Sequence, residues 1–187
     1  MPMKPANRVA IDKIIPDVDN GRFAAKSVIN QATRIAVDIV CDGHDVLTCS
    51  LHIRAPHRDS WTSIPLTNKG NDRWQAFFTP DQLGIWEYTV SAGVDRFHTW
   101  LRDLNRHSDA GGDLRGELAE GQRLVESVLA NAPASAVRQL RQIQESLSGP
   151  EGYTAASSPQ LASLMKLYEN RSKDTWLDTP RRMIVER

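Results

Sequence analysis

The chain has no surplus of either charge: Lys plus Arg and Asp plus Glu both stand at 23 in 187 residues. A formal net charge of zero gives no long-range pull toward nucleic acid or an anionic membrane, so neither is expected as a partner. Cysteine is scarce. Only Cys41 and Cys49 are present, too few for a disulfide-stapled scaffold. If the segments flanking DGHD (residues 42–45) pair as a hairpin, Cys41 lies near Val46 and Cys49 across from Asp38. That register keeps the sulfurs apart. Two reduced thiols and a cytoplasmic location are the expectation. No run approaches the roughly 20 apolar residues of a membrane-spanning helix, and the opening MPMKPANRVAIDKIIPDVD lacks the apolar stretch of a signal peptide. Phosphate-binding glycine loops are missing too, because DAGGD has neither the following Lys-Ser/Thr nor a preceding apolar strand. The five histidines form no HExxH, and no GxSxG frames a serine.

What is there divides by period. From Arg8 to about Val94 the period is two. Ile35, Val37 and Ile39 alternate with Arg34, Ala36 and Asp38. Leu47, Cys49, Leu51 and Ile53 alternate with Thr48, Ser50, His52 and Arg54, and Trp86, Tyr88, Val90, Ala92 and Val94 with Glu87, Thr89 and Ser91. Such alternation marks strands with one buried and one wet face, the habit of antiparallel sheets. Turn signals at PDVDNG, DGHD, APHRDS, NKGND and TPDQLG space the strands as in an immunoglobulin-like antiparallel β-sandwich. After about Asp103 the period becomes helical. Asp113 is placed to cap a helix carrying Leu114, Leu118, Val125, Val128 and Leu129 on one stripe. Pro133 interrupts it, and a second helix buries Val137, Leu140, Ile143 and Leu147 before stopping at Gly149 and Pro150. Ser158 and Pro159 open a third, with Leu161, Leu164, Met165 and Tyr168; TAASSPQ reads as a flexible connector. RRMIVER then resumes a strand, with Met183 and Val185 on one face. The expected fold class is α+β: a sandwich over 1–103 plus 178–187, with a small helical bundle inserted over 104–177.

Candidate sites are few. Asp42, His44 and Asp45 place two carboxylates and an imidazole together, but metal sites usually recruit ligands from separate elements or at helical spacing. Asp and Gly are also what a tight reversal prefers. The tetrapeptide reads as a turn, and no metal or cofactor is expected. Trp61, Trp74, Phe77, Phe78, Trp86, Tyr88, Phe97 and Trp100 concentrate in the sandwich half. Most would fill the space between two sheets; an exposed subset would make a stacking platform for sugar.

Residues 70–104, GNDRWQAFFTPDQLGIWEYTVSAGVDRFHTWLRDL, together with RVAIDKIIPDVDNGRFAAK, CDGHDVL and AGGDLRGELAEGQRLVE, resemble the N-terminal region of bacterial α-1,4-glucan:maltose-1-phosphate maltosyltransferases, enzymes of the α-amylase-like glycoside hydrolase family 13 type. The resemblance implies a β-sandwich with an inserted helical bundle, part of a homodimeric enzyme that transfers maltosyl units to α-1,4-glucan. It implies catalysis on a separate (β/α)8 barrel, for which some 250 residues are needed and this chain has no room. No catalytic residue carries over. The matching positions include Asp42, Gly43, His44, Asp45, Asn71, Asp72, Arg73, Trp74, Asp95, Arg96, Phe97, Trp100, Arg102 and Asp103. Among them Asp42, His44, Asp45, Trp74 and Trp100 are the candidates for a ligand or interface contact. The implied partners are the catalytic barrel of the same enzyme, a second copy of it, and α-glucan. The expected role is a non-catalytic accessory or dimerisation domain, inactive alone; the alternative is a stand-alone α-glucan-binding module.

Overall fold

The computed structural model describes residues 8–187. Residues 1–7, with the start of the expected sandwich segment, lie outside the described residues. Within the described residues the elements are β1 (Val9–Ile15), β2 (Ala25–Val28), β3 (Thr33–Cys41), β4 (Leu47–Arg54), β5 (Thr62–Pro65), β6 (Thr67–Asn68), β7 (Arg73–Phe78) and β8 (Gly84–Val94), then α1 (Arg96–Asp109), α2 (Arg115–Leu129), α3 (Ala134–Leu147), α4 (Gly152–Ala156) and α5 (Pro159–Tyr168), and last β9 (Thr175–Trp176) and β10 (Arg181–Glu186). This is the expected α+β class. The strands form two sheets, ordered β1-β3-β7-β6 and β2-β10-β8-β4-β5, with β9 also paired to β8. All pairings are antiparallel except β10 with β2, which is parallel.

The inner faces of the two sheets share one core. Ile35, Val37 and Ile39 of β3 meet Leu51 of β4, Tyr88 and Val90 of β8, and Met183 and Val185 of β10. These are the residues that the period-two alternation marks as inward. The alternation fails in two strands: Ala36 of β3 and Thr89 and Ser91 of β8, expected on a wet face, are buried. β8 runs between β4 on one side and β10 and β9 on the other, and the His52 ring reaches across to Ser91, Nε2 to Oγ 2.8 Å. Tyr88 anchors the inner face at its polar end by donating from its hydroxyl to the Pro16 carbonyl (2.6 Å). Burial, with the nearby Asp17 carboxylate, holds that phenol well above its usual range.

Contacts divide the chain into a unit ending at Val94 and resumed at Asp174, and a helical unit from Asp95 to Lys173. The helical unit therefore begins before the expected residue 104, because α1 starts at Arg96. Asp95 alone separates β8 from α1 and caps it, its carboxylate accepting the His98 N–H (2.9 Å). Phe97, Trp100 and Leu104 then fall on the buried stripe of α1. They pack with Leu124, Val125 and Val128 of α2, Leu140 and Leu147 of α3, and Leu161, Leu164 and Met165 of α5. Five helices stand among the described residues where the sequence suggested three. The additional ones are α1 and the short α4, which takes in part of the segment read as a connector and places Ala156 fully inside. Ser158 caps α5 as expected, accepting from the Leu161 N–H (3.3 Å), and Pro159 fills its first turn. Asp113 accepts from the Arg115 N–H (3.1 Å) at the start of α2.

Candidate functional site

The DGHD segment does not close a hairpin. β3 pairs with β1 and β7, β4 pairs with β5 and β8, and the two strands belong to different sheets. The tetrapeptide is the crossover that carries the chain from one layer to the other. Gly43 takes a φ of 109°, which glycine adopts without the Cβ penalty of other residues. Arg8, just ahead of β1, ties the crossover down. Its carbonyl accepts the Asp42 N–H (2.8 Å), its Nη2 donates to the Asp42 carbonyl (3.0 Å), and its Nη1 pairs with Asp45 Oδ2 (3.1 Å). The adjacent Cys41 thiol is pushed up, first by burial and then by the Asp45 carboxylate, which disfavours a reactive thiolate. Cys41 and Cys49 are both thiols.

Among the described residues, no group of three or more His, Cys, Asp or Glu side chains converges as metal ligands. Asp42 and His44 are exposed and Asp45 is half-buried beside Arg8. The two tryptophan candidates lie elsewhere. Trp74 sits on β7, where Trp74, Ala76 and Phe78 face inward, and it is only 9% exposed within the sandwich core. Trp100 belongs to the helical unit and is 5% exposed. Its indole Nε1 donates to the Glu117 carbonyl (2.6 Å), and its ring lies against the Cα of Gly121. Both side chains are packing elements, enclosed on cores rather than offered to a ligand. The five candidates thus fall in three places: a crossover, a sandwich core and a helical core.

A different group converges on the outer face of the six-stranded sheet. His52 and Arg54 project outward from β4, as the alternation indicates. The Trp176 ring stacks on His52 at 4.4 Å between centroids and 27° between planes. Arg54 pairs with Glu87, Nε to Oε2 2.7 Å, and its guanidinium carbon lies 4.7 Å from the centre of the Trp61 ring. Burial lowers the His52 pKa, so the imidazole is neutral at neutral pH. The face therefore carries two tryptophans, an imidazole and the Arg54–Glu87 pair, with Arg182 in register beside Glu87 and the Asp174 carboxylate over Gly93. In the sequence Trp61 is one aromatic among many, and Trp176 falls inside the expected helical segment 104–177. The signal that was present was the outward alternation of His52 and Arg54.

Residues 7–187 match the family model described as alpha-1,4-glucan:maltose-1-phosphate maltosyltransferase, domain N/S. A maltosyltransferase of that name from Chlorobaculum tepidum is 38% identical over 131 residues, covering 70% of this chain and 20% of the relative. One from Myxococcus xanthus is 33% identical over 179 residues, covering 88% and 26%. One from Methylacidiphilum infernorum is 29% identical over 189 residues, covering 100% and 28%. The chain thus spans between a fifth and three-tenths of the length of these relatives.

Proposed function

The chain belongs to the alpha-1,4-glucan:maltose-1-phosphate maltosyltransferase N/S-domain family, and from that membership we propose that it is the non-catalytic accessory and dimerisation domain of an enzyme that elongates α-1,4-glucan from maltose 1-phosphate. The observation that carries the reading is the extent of the match. The N/S model runs over residues 7–187, while most of each relative's length lies beyond the matched region. The architecture agrees with a division of labour. An α-amylase-like reaction places its acids on the loops of a closed parallel barrel, and the described residues form two open sheets and helices.

In this reading the domain's partners are the catalytic barrel of the same polypeptide and a second copy of the enzyme. The DGHD crossover serves to fix the two sheets and performs no chemistry. Among the described residues no helix is long and apolar enough to cross a membrane. A cytoplasmic location is part of the proposed reading. The test is direct. The purified chain, given maltose 1-phosphate and maltohexaose, is expected to release no inorganic phosphate above the no-protein rate. Phosphate release that scales with chain concentration and survives repurification overturns the non-catalytic assignment.

A further inference from the structure

We infer that residues 174–177, where the chain re-enters the sandwich unit from the helical unit, form a proton-operated strap, closed over the six-stranded sheet while His52 is neutral and released when that imidazole takes a proton. Four consecutive residues fasten it. Toward the interior, Thr175 Oγ1 donates to the Val9 carbonyl of the other sheet (2.8 Å), and the Leu177 N–H donates to the Val90 carbonyl (2.9 Å). Toward solvent, the Asp174 carboxylate rests over the Cα of Gly93, where any Cβ would collide with it. Trp176 registers with Ser91 on β8, yet its ring stacks on His52 of β4, two strand spacings or about 10 Å from β9. The indole therefore crosses above β8, where Ser91 is buried. Of the four fastenings, only the one on His52 carries a group that titrates near neutral pH.

The surroundings give an imidazolium no counter-ion of its own. Arg54, two positions along β4, is paired with Glu87, and Arg182 of β10 registers with the same Glu87. Asp174 lies at Gly93, two positions along β8 from Ser91. On the other side β5 brings only Thr62, Ser63, Ile64 and Pro65, none of them charged. His52 is half-buried, and burial is what lowers its pKa; the stacked Trp176 ring supplies part of that burial. Stacking and protonation are then linked reciprocally. Whatever factor the closed strap takes from the proton affinity of His52, protonation takes from the closure of the strap. Cation–π attraction opposes this, but with the indole 51% exposed it stands at the weak end of its range. A histidine whose pKa is lower in the closed than in the open state binds fewer protons when closed. Closure is therefore complete above the ordinary histidine value and weakens as pH falls from there through the lowered value.

The test follows the Leu177 amide by hydrogen exchange and the His52 ring by NMR titration, both in the whole chain. Between about pH 8 and about pH 5, on either side of the ordinary histidine pKa, the protection factor of the Leu177 amide is expected to fall. The size of the fall is set by the factor that separates the His52 proton affinities of Trp176→Ala and wild type, so a tenfold fall pairs with a pKa about one unit higher in the variant. His52→Gln, whose amide still reaches Ser91, keeps Leu177 protected at both ends of the range. Gly93→Ala displaces Asp174 and leaves His52 in place; it lowers Leu177 protection already at the alkaline end and raises the His52 pKa. Unchanged protection of Val37, central in the other sheet, separates release of the strap from general loosening. Four results overturn the inference: Leu177 protection that does not change with pH, an acid loss that persists in His52→Gln, a parallel acid loss at Val37, or a His52 pKa in Trp176→Ala no higher than in wild type. None of these depends on phosphate release, so failure here is distinguishable from failure of the non-catalytic assignment.

Discussion

Gly121 and Gly116 lie in the same helix, and the same substitution at each is expected to act with opposite sign. In α2 an alanine is favoured over glycine by about 0.8–1.0 kcal/mol on backbone grounds alone. At Gly116, in the first turn of α2, nothing lies within 4 Å of an added Cβ, so Gly116→Ala is expected to stabilise the helical unit, by less than the interior value of about 0.8–1.0 kcal/mol. At Gly121 the added Cβ overlaps the Trp100 indole, with Cη2 at 2.7 Å and Cε2 at 2.9 Å, and Cζ2 closer still. Real carbon contacts begin near 3.5 Å. The indole has little room to retreat, because its Nε1 is hydrogen-bonded to the Glu117 carbonyl and its ring packs on Phe97 at 5.7 Å between centroids. Overpacking of this kind costs about 1–3 kcal/mol, and shifting the ring weakens a hydrogen bond worth about 1 kcal/mol. After subtracting the propensity gain, a net loss of about 1 kcal/mol or more remains for Gly121→Ala. Urea unfolding followed by far-UV circular dichroism, which weights the helices, measures both variants against wild type. If Gly121→Ala is as stable as wild type or more so, Trp100 is not the fixed packing element described above.

Ser158→Ala removes the cap that accepts the Leu161 N–H and is expected to cost about 1 kcal/mol; Ser158→Asn, which keeps a capping oxygen, should recover most of it in the same urea assay. Glu169 gives a pH dependence of definite sign. Burial raises its pKa, and the Asp95 carboxylate adds to this, against the lowering effects of Arg171 and of Arg96. A carboxyl whose folded pKa exceeds its unfolded value binds more protons in the folded state, so this group's contribution is greatest at low pH. It is lost as pH rises from the ordinary carboxylate range through the raised value. Unfolding curves collected across that range should show this decline in wild type and a smaller one in Glu169→Gln; identical slopes refute the assignment.

The strand alternation was readable in detail. Ile35, Val37, Ile39, Leu51, Tyr88, Val90, Met183 and Val185 face inward as their spacing indicates, and the Ser158–Pro159 signal marks a real helix start. Pairing was not readable. Period two tells which face of a strand is buried but not which strand lies beside it, so DGHD looked like a hairpin turn when it is a crossover between sheets. α1 was missed because a single residue, Asp95, separates it from β8, with no Gly or Pro to announce the change. The capping aspartate and the apolar positions Phe97, Trp100 and Leu104 were the available signal. Thr89 and Ser91 look like wet-face residues; Ser91 is covered by His52, with Trp176 stacked on that ring, a placement that sequence spacing does not give. Trp176 sits in a two-residue strand, too short to show any period, so its stacking on His52 was legible only in three dimensions.

The assembly role proposed above is tested most directly by sedimentation velocity on a maltosyltransferase polypeptide containing this chain, compared with a version lacking residues 1–187. The account predicts a dimer for the complete polypeptide and a monomer after the deletion, at matched concentrations. A dimer of undiminished affinity after the deletion would contradict it.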